Sequence, residues 1–380
     1  MLNICHITSM HDWNDDRIFE RACYGLSVEG YQVSLIATSD KTEKSVVSGV
    51  EIIPIKKRSG LKRRVLSSFE ATKKAASSKS DILHFHDPDL LPFMWVLSWF
   101  KKGVVYDIHE NYMARIWSLQ LPNFLKSFLS FLWRSFEKIC IRSFDGFVVT
   151  TDSMGKMFNI ASVPYCVVSN TPYLKRLDLD KISNLEKRTG INLYISGSHS
   201  KQRNCMQAVE ALPLIVSKNS DVNLVFAGKY VPESFKEDLR RRAEELGVSA
   251  HLHLEGMLPW LENFNRTSSM HIGLVLYEDN LNNRVTIPNR LFEYMISGLA
   301  VVGESFIEVK NVVEDAECGY TCNSSKPEEI ASAVIQTIED KRGLLTLGMS
   351  GKNAILNKYA FEYDLERLIQ YYNSITKKRS

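Results

Sequence analysis

The sequence lacks the short motifs that identify several large enzyme classes. No GxGxxG follows the first apolar run, no GxxxxGK(S/T) occurs, and no GxSxG appears. These absences argue against a classical dinucleotide-binding fold, a P-loop NTPase and an α/β-hydrolase. No segment recurs with a period of about 20 to 50 residues, so a solenoid is excluded as well.

Cysteine pairs, net charge and long apolar stretches are also scarce. The seven cysteines are scattered and include no CxxC pair, which favours small core residues in a reduced, cytoplasmic compartment. The formal net charge is only +3, so we expect no nucleic-acid partner. The start, MLNICHIT, is typical of a strand and not of a signal peptide. The longest apolar run, LLPFMWVLSWF, has 11 residues and is too short to span a bilayer.

Short apolar runs alternate with amphipathic segments almost throughout the 380 residues. This alternation predicts βαβ units and therefore an α/β fold with parallel, doubly wound sheets. The strands predicted in the first half are NICHIT, QVSLIAT, VEIIPI, DILHFHD, GVVYDIH and GFVVTT. Those predicted in the second half are INLYISG, VNLVFAG, HLHLEGM, HIGLVLY, AVVGE and CGYTCN.

The alternation stops in a polar stretch from Val167 to Gly190, which we interpret as an interdomain linker. The length also favours two domains. We predict one Rossmann-like domain over residues 1–172 and a second over 173–357, facing each other across a cleft. A C-terminal helix over residues 358–380 is predicted to pack back on the first domain.

In the first half, polar side chains follow the predicted strands. His11, Asp16 and Arg17 come after the first strand, and His109 and Glu110 come after VVYDI. Ligands of open α/β sheets bind at the carboxyl ends of the strands. A solvated loop would explain each group alone, but their shared position favours a site.

The second half repeats this arrangement with basic residues. Arg203 stands between the strand YISG and a helix, and Arg290 lies in the first turn of the helix that starts at PNRL. An arginine at a helix N-terminus forms a site for an anion. Glu293 follows in the same helix, where it is either a solvated residue or part of that site.

Three short patterns offer possible metal ligands, but none has a third ligand at a suggestive spacing, so no metal is predicted. Asp87 and Asp89 form a DxD-like pair, which a turn after a strand explains equally well. The patterns are His84 with His86, His251 with His253, and Asp87 with Asp89.

Taken together, HDPDLLP, YDIHE and LFEYMISGL form a more specific combination than any single motif. With HDWNDDRIFERACYGLSVEGYQVSLIA, YISGSHSKQRN and LVFAGKY, this combination resembles the retaining, GT-B fold glycosyltransferases of the family 4 type, across essentially the whole chain. Such motifs are typical of bacterial surface-polysaccharide enzymes. The resemblance implies transfer of a sugar from a nucleotide-sugar, with UDP favoured and GDP possible, to a growing, lipid-linked glycan. It also implies retention of anomeric configuration and no metal or other cofactor.

The resemblance also implies roles for individual residues. His109 touches the donor sugar and Glu293 binds the ribose hydroxyls, so both count as catalytic, while Arg203 neutralises the diphosphate. The full donor-side set is Ser198, Arg203, Gly228, Lys229, Met257, Leu258, Pro288, Asn289, Arg290, Leu291 and Glu293, with the base against Met257 and Leu258. The acceptor-side set is His11, Asp16, Arg17, Asp87 and Glu110.

The sequence departs from the family pattern at two positions. Val285 replaces the glutamate often found eight residues before Glu293, and Ser198 replaces an arginine that often follows the glycine. Two alternatives therefore stay open. One is a non-catalytic protein that binds a nucleotide-sugar or a partner transferase, and the other is a sugar-nucleotide epimerase.

Two segments suggest a membrane surface. The stretch from Leu121 to Phe144 is rich in Phe and Leu among basic residues, and the stretch from Lys56 to Lys79 holds nine Lys or Arg against one Glu. The first is either a core helix or an amphipathic helix in the lipid interface. We predict that both contact anionic lipid and hold the protein at the inner face of the cytoplasmic membrane.

Overall fold

The computed structural model describes residues 2–101, 103–109, 111–117, 119–158, 160–177, 189–258 and 260–377, without side-chain detail at 61, 63, 114, 260 and 261. The chain forms two compact units. Unit 1 runs to Ser169 and resumes at Phe361, and unit 2 is Asn170–Ala360. Both changes of unit lie three residues from the predicted domain boundaries.

Unit 1 is built on an eight-stranded sheet. Its strands are β1 (Asn3–Asp12), β2 (Gln32–Ser39), β3 (Ser45–Val47), β4 (Val50–Lys56), β5 (Ile82–Phe85), β6 (Val104–Ile108), β7 (Gly146–Val149) and β8 (Tyr165–Val167). Their order is β3-β4-β2-β1-β5-β6-β7-β8, and all neighbours pair in parallel except β3 with β4. The strands β5, β6 and β7 are buried along their whole length, which is why they read as continuous apolar runs.

Strands β3 and β8 were not predicted. Each has three residues at a sheet edge, too few for a periodic pattern to emerge. Strand β3 pairs with β4 through a tight turn at Ser48 and Gly49, both with positive φ, as a two-residue hairpin requires.

Helices cover the sheet of unit 1. The α-helices are α1 (Tyr24–Val28), α2 (Gly60–Lys62), α3 (Ser68–Ala76), α4 (Leu91–Ser98), α5 (Tyr112–Trp117), α6 (Asn123–Ile141) and α7 (Asp152–Phe158). π-Helical segments span Asp16–Cys23 and Arg63–Ser67, and a 3₁₀ turn spans Pro88–Leu90. Among the described residues, no helix is long and apolar enough to cross a membrane.

Unit 2 contains a six-stranded, fully parallel sheet. Its strands are β9 (Ile191–His199), β10 (Val222–Tyr230), β11 (Leu252–Glu255), β12 (Ile272–Val275), β13 (Ala300–Glu304) and β14 (Gly319–Cys322), in the order β11-β10-β9-β12-β13-β14. All six were predicted. The two parallel sheets confirm the predicted α/β fold of two Rossmann-like domains.

The helices of unit 2 bury apolar side chains in two clusters, one around Leu212, Phe226 and Val334 and one around Phe292 and Met295. The α-helices are α8 (Cys205–Lys218), α9 (Phe235–Glu245), α10 (Trp260–Ser268), α11 (Asn289–Ile296), α12 (Ile307–Asp315), α13 (Pro327–Ile338) and α14 (Leu344–Ala354). The 3₁₀ turns are Leu174–Arg176, Lys201–Arg203, Ser249–His251 and Asn283–Val285, and a π-helical segment spans Ile355–Tyr359.

The last helix, α15 (Phe361–Lys377), belongs to unit 1. The Tyr372 hydroxyl is hydrogen-bonded to His84 in β5. The Tyr371 hydroxyl donates to the carbonyl of Phe147 at 3.2 Å and to that of Pro164 at 2.7 Å. These buried bonds fix α15 to the sheet of unit 1.

Candidate active site

The C-terminal half of β1 is held by the buried carboxylate of Asp87. One oxygen accepts from the hydroxyl of Thr8 at 2.8 Å and from the backbone N–H groups of Ser9 and Met10 at 2.6 and 3.1 Å. Asp87 is only 1% exposed, and this carboxylate oxygen is used in bonds within the fold. Its acceptor-side role stays a prediction.

A buried charge pair between the segment after β1 and strand β6 was not predicted from the sequence. The Arg17 guanidinium donates to both carboxylate oxygens of Asp107, at 3.0 and 3.3 Å. His86 Nδ1 donates to the same carboxylate at 2.8 Å, and His86 Nε2 lies 2.9 Å from His6 Nδ1. Although burial opposes the charged form, Arg17 and His86 hold the pKa of Asp107 well below its usual range.

His109 follows β6 at the same sheet edge. Its ring centroid lies 6.0 Å from that of His11, and among the described residues its buried Nδ1 has no hydrogen-bond partner. Burial lowers the pKa of His109 and outweighs the opposing effect of Asp107, so the imidazole is neutral at pH 7. The structure thus provides a half-buried, uncharged imidazole at the end of a strand.

The other predicted acceptor-side residues differ in surroundings. His11 Nδ1 bonds Asp15 at 3.1 Å, and hydrogen bonds from His11 and Ile18 bring the pKa of Asp15 to about 2 although burial would raise it. Asp16 is 61% exposed and pairs with Arg21. Glu110 lies outside the described residues.

The two histidine pairs have different surroundings. His84, His86 and Asp107 each offer a ligand atom within 4.8 Å of the others, and His86 Nδ1 lies 2.8 Å from the Asp107 carboxylate. In unit 2, His251 bonds the carbonyl of Val222, and His253 bonds the side chain of Asn223. The absence of a metal stays a prediction.

At the carboxyl edge of the sheet in unit 2, Gly197 leaves room for two arginines. It has φ +89°, and a Cβ there would lie 3.6 Å from Nη2 of Arg290 and 3.7 Å from Nη1 of Arg203. Gly228 pairs with it across β9 and β10, where a side chain would collide with the Gly197 carbonyl. The tight strand pair thus brings both guanidinium groups to one point.

A tyrosine holds the two arginines in place. The guanidinium carbons of Arg203 and Arg290 lie 5.4 and 5.3 Å from the ring centre of Tyr277, which follows β12. Arg290 is 5% exposed and its Nη1 has no partner among the described residues. Within that part of the chain, neither guanidinium has a carboxylate at salt-bridge distance. Although burial opposes the charged form, Tyr277, Tyr294 and Glu293 raise the pKa of Arg290.

The helix α11 contributes its N-terminus to the same edge. Its cap residue is Pro288, and no described side chain caps the helix. The predicted backbone donor Leu291 is corrected, because its N–H donates to the Pro288 carbonyl at 3.1 Å and its side chain is fully buried. Asn289 is exposed, and Glu293 is half-buried one turn after Arg290.

The remaining predicted donor-side residues lie on strand ends and loops. Ser198 is half-buried and stands opposite the exposed Lys229 in the β9–β10 register. Met257 is 78% exposed in the loop after β11, and Leu258 packs against the apolar cluster of unit 2. Val285, in place of the family glutamate, ends the 3₁₀ turn Asn283–Val285.

Comparison with known proteins agrees with this architecture. The family described as "Glycosyltransferase Family 4" matches residues 17–170, and the family described as "Glycosyl transferases group 1" matches residues 190–340. The two matches fall on units 1 and 2 and together cover most of the chain. No curated protein matches the sequence.

Several solved structures share the fold over nearly the whole chain. Sucrose-phosphate synthase from Thermosynechococcus elongatus is 14% identical, with a TM-score of 0.76 and full coverage of both chains. HepE from Anabaena, solved with UDP, is 12% identical, with a TM-score of 0.71 and coverage of 98% of this chain and 100% of HepE. WaaG, a glycosyltransferase involved in lipopolysaccharide biosynthesis, is 14% identical, with a TM-score of 0.65 and coverage of 99% and 100%.

Two Rossmann-like domains of this topology define the GT-B class. With both family matches, the chain belongs to the GT-B glycosyltransferases of the family 4 type. The resemblance stated from the motifs is thereby confirmed.

Proposed function

We propose that the chain transfers a sugar from a nucleotide-sugar, preferably a UDP-sugar, to a growing lipid-linked glycan of a bacterial polysaccharide. Unit 2 binds the donor and unit 1 serves the acceptor. Among similar structures, HepE was solved with UDP, with UDP and glucose, and with UDP-glucose, which supports a uridine nucleotide as the first choice and leaves GDP as the second.

The observation that carries the proposal is the pair of arginines beside Gly197, neither of which has a carboxylate at salt-bridge distance among the described residues. A buried guanidinium without a carboxylate partner is costly unless an anion completes it. Arg203 and Arg290 meet at one point beside the N-terminus of α11, which favours negative charge. A diphosphate supplies two adjacent anionic groups and fits this arrangement.

The donor proposal separates the roles of two residues. Arg203 acts on the phosphates, while Glu293 holds the ribose hydroxyls. Calorimetry with UDP, UMP and uridine tests this directly. Arg203→Gln should weaken UDP most, whereas Glu293→Gln should weaken all three ligands, by about 1–3 kcal/mol for a charged hydrogen bond. Equal, weak binding of all three ligands by the unmodified protein would contradict the proposal.

We also propose that the enzyme needs no metal. The charge that develops on the leaving diphosphate is met by arginines and helix dipole instead of a cation. Donor binding and turnover should therefore survive EDTA. A strict requirement for Mn²⁺ or Mg²⁺ would overturn this part of the proposal.

The burial of two acidic groups in unit 1 supports the proposal of retained configuration. Asp87 and Asp107 are buried and hydrogen-bonded, so they are poor candidates for a nucleophile or a base. A front-face reaction, in which the leaving phosphate accepts the acceptor's proton, needs neither. The neutral imidazole of His109 then supports the sugar during transfer.

The stereochemistry can be read from the first product. An α-linked nucleotide-sugar should give an α-linked product, as measured by the anomeric coupling constant in NMR. A β product would require a general base and defeat the front-face route. His109→Ala should reduce kcat far more than donor affinity, because its role is at the sugar.

Turnover also separates the two alternatives. A non-catalytic binder would bind UDP yet leave donor unchanged in the presence of membrane extract. An epimerase would alter the donor sugar without any acceptor. Transfer that depends on the extract supports the glycosyltransferase.

Exposed aromatic side chains on three neighbouring helices of unit 1 support the membrane part of the proposal. Ring contacts join Phe69 of α3 to Phe93 of α4 at 6.5 Å, and Trp95 of α4 to Phe136 of α6 at 6.2 Å. We call the exposed set on these helices and just beyond α4 the aromatic surface. It consists of Phe69, Trp99, Phe100, Phe124, Phe128, Phe131 and Leu132.

The structure contradicts the core interpretation for much of α6. Phe124 is 77% exposed and Phe131 is 67% exposed, while the buried side of the helix carries Ser130, Glu137 and Cys140. An apolar stripe that faces solvent on an otherwise folded helix is typical of an interfacial surface.

The charges on α6 favour an anionic membrane as the partner. Glu137, its single acidic residue, is buried, and the pKa of Lys138 is lowered by burial and by Arg134 and Arg142. The basic segment before α3 is partly neutralised within the fold, since Arg58 bonds Glu70. The excess charge on α6 would be stabilised by acidic headgroups.

Vesicle sedimentation tests this surface. The unmodified protein should bind phosphatidylglycerol-containing vesicles better than phosphatidylcholine vesicles. Phe128→Ser with Phe131→Ser should weaken binding at least about tenfold, since burying a Phe contributes roughly 1.5–3 kcal/mol. Leu345→Ser, an equally exposed change in unit 2, should not. Unchanged binding, or unfolding of the Phe variant, would overturn the membrane proposal.

A further inference from the structure

A fully buried serine in unit 2 lies at the centre of a hydrogen-bond hub. Ser324, in the loop between β14 and α13, donates its hydroxyl proton to Glu304 at the end of β13. Its oxygen accepts from the side-chain amide of Asn204 at 2.7 Å and from the backbone N–H of Tyr277 at 3.3 Å. One donor and two acceptor sites are the full capacity of a hydroxyl, so Ser324 is saturated.

Two hydrogen-bond partners of Ser324, Asn204 and Tyr277, lie next to the arginine pair. Asn204 follows Arg203 directly and has a left-handed backbone (φ 46°), so it ends the 3₁₀ turn and starts α8. The Tyr277 ring lies against both guanidinium groups. A third bond ties the same two loops, since the Glu278 N–H donates to the Gln202 carbonyl at 3.0 Å.

Glu304, at the end of β13, holds Ser324 in place. Its carboxylate is 2% exposed and accepts from the backbone N–H groups of Ser305 at 3.1 Å and Ser324 at 3.2 Å. Among the described residues it has no basic partner, so its bonds go to neutral groups that fix the loop after β14.

We propose that Ser324, held by Glu304, is a positioning residue that sets the distance between the Arg203 turn and Tyr277. The hub touches no phosphate itself. It acts by holding Asn204 and Tyr277 so that both guanidinium groups converge beside Gly197. This inference rests on the proposed donor site and predicts that loss of the hub lowers selectivity for the second phosphate group.

The test compares UDP with UMP by calorimetry. Ser324→Ala should raise the Kd for UDP about tenfold and change the Kd for UMP little, because the loss of the hub misplaces the groups that meet the outer phosphate. Ser324→Thr keeps the hydroxyl and should restore the ratio. The matched control is Ser325→Ala, because Ser325 is exposed and its hydroxyl bonds only Asn323 among the described residues.

A second variant covers the case in which Ser324→Ala fails to fold. Asn204→Gly removes the amide that bonds Ser324, while glycine accepts the positive φ without strain. It should lower the UDP-to-UMP ratio as Ser324→Ala does. If the unmodified protein prefers UDP but both folded variants keep that preference, the positioning inference is wrong. If the unmodified protein shows no preference, the donor site itself is wrong.

Discussion

The two sheet edges of this molecule treat positive charge in opposite ways. In unit 1, Arg17 forms a bidentate pair with Asp107, and the His11 ring is bonded to Asp15. In unit 2, Arg203 and Arg290 meet without a carboxylate among the described residues, and one nitrogen of Arg290 is buried without a partner. The arginine of unit 1 is thus paired with a carboxylate, whereas the two arginines of unit 2 have no such partner among the described residues.

This difference predicts that the charged groups of unit 1 contribute to folding stability and those of unit 2 to ligand binding. A closed ion pair rigidifies the loop after β1 but has little left to offer a charged ligand. A pair of like charges costs stability in the free protein and returns it when the ligand arrives. Removing one charged group should therefore lower the stability of the ligand-free protein in unit 1 and raise it in unit 2.

The largest effect is expected in unit 1 from Asp107→Asn. It leaves Arg17 in a largely buried position without its counter-charge, which should lower the free energy of unfolding by about 3–5 kcal/mol. Chemical denaturation measures this. Asp12→Asn is the control, because its pair with Lys57 is exposed and should contribute much less. Equal losses in both variants would remove the contrast between the units.

Glu137 is the exception in unit 1, since among the described residues its carboxylate accepts a hydrogen bond from the neutral hydroxyl of Tyr106 at 3.4 Å. Burial raises the pKa of Glu137 to about 7 from an ordinary 4.5. The folded state then holds the proton more tightly, so this group's stabilisation is complete below pH 4.5 and is lost as pH rises through about 7.

Glu137→Gln should therefore stabilise the protein at pH 8, on the order of 3 kcal/mol, and change little at pH 4. Thermal unfolding of both proteins across this pH range gives the difference. A pH-independent difference would show that Glu137 does not titrate in this range.

In unit 2, Arg203→Met should have two effects of opposite sign. Affinity for UDP should fall by about 1.5–3 kcal/mol, because a charged hydrogen bond is lost. The unfolding temperature of the ligand-free protein should rise, because burial and the neighbouring Arg290 disfavour the charged guanidinium of Arg203 and lower its pKa. Calorimetry and thermal unfolding measure the two. The control Arg284→Met, at an exposed pair with Asp279, should change neither much, and a destabilised Arg203→Met would contradict the contrast.

The smallest effect is expected from Asp16→Asn. Its carboxylate is 61% exposed although its partner Arg21 is only 9% exposed, so losing the pair should lower the free energy of unfolding by clearly less than Asp107→Asn does. Turnover should also stay within a few-fold, because retention needs no base there. A collapse of kcat with normal stability would make Asp16 the base of an inverting reaction.

Most strands, and the position of two arginines at helix starts in unit 2, could be predicted from the sequence because both depend on local patterns. Apolar runs marked all six strands of unit 2, and Arg203 and Arg290 stand next to helix starts. Pairing between distant segments was not predictable in the same way. Asp107 sits inside the apolar run VVYDI, and a carboxylate in a buried strand is the one local sign that it needs a partner.

The hub around Ser324 shows the limit more clearly. Ser324, Asn204 and Tyr277 are far apart in sequence and belong to three loops, so only the order of β9, β12, β13 and β14 brings them together. The sequence also could not predict whether Phe124 is buried or exposed, because the same amphipathic pattern fits a core helix and an interfacial helix.

The placement of α15 orders events during synthesis. Unit 2 is one unbroken stretch, so its residues are all available for folding once Ala360 has left the ribosome. Unit 1 must wait for Phe361–Lys377, since Tyr371 and Tyr372 bond its strands. Unit 1 therefore joins residues synthesised early to residues synthesised late, whereas unit 2 depends on one continuous stretch.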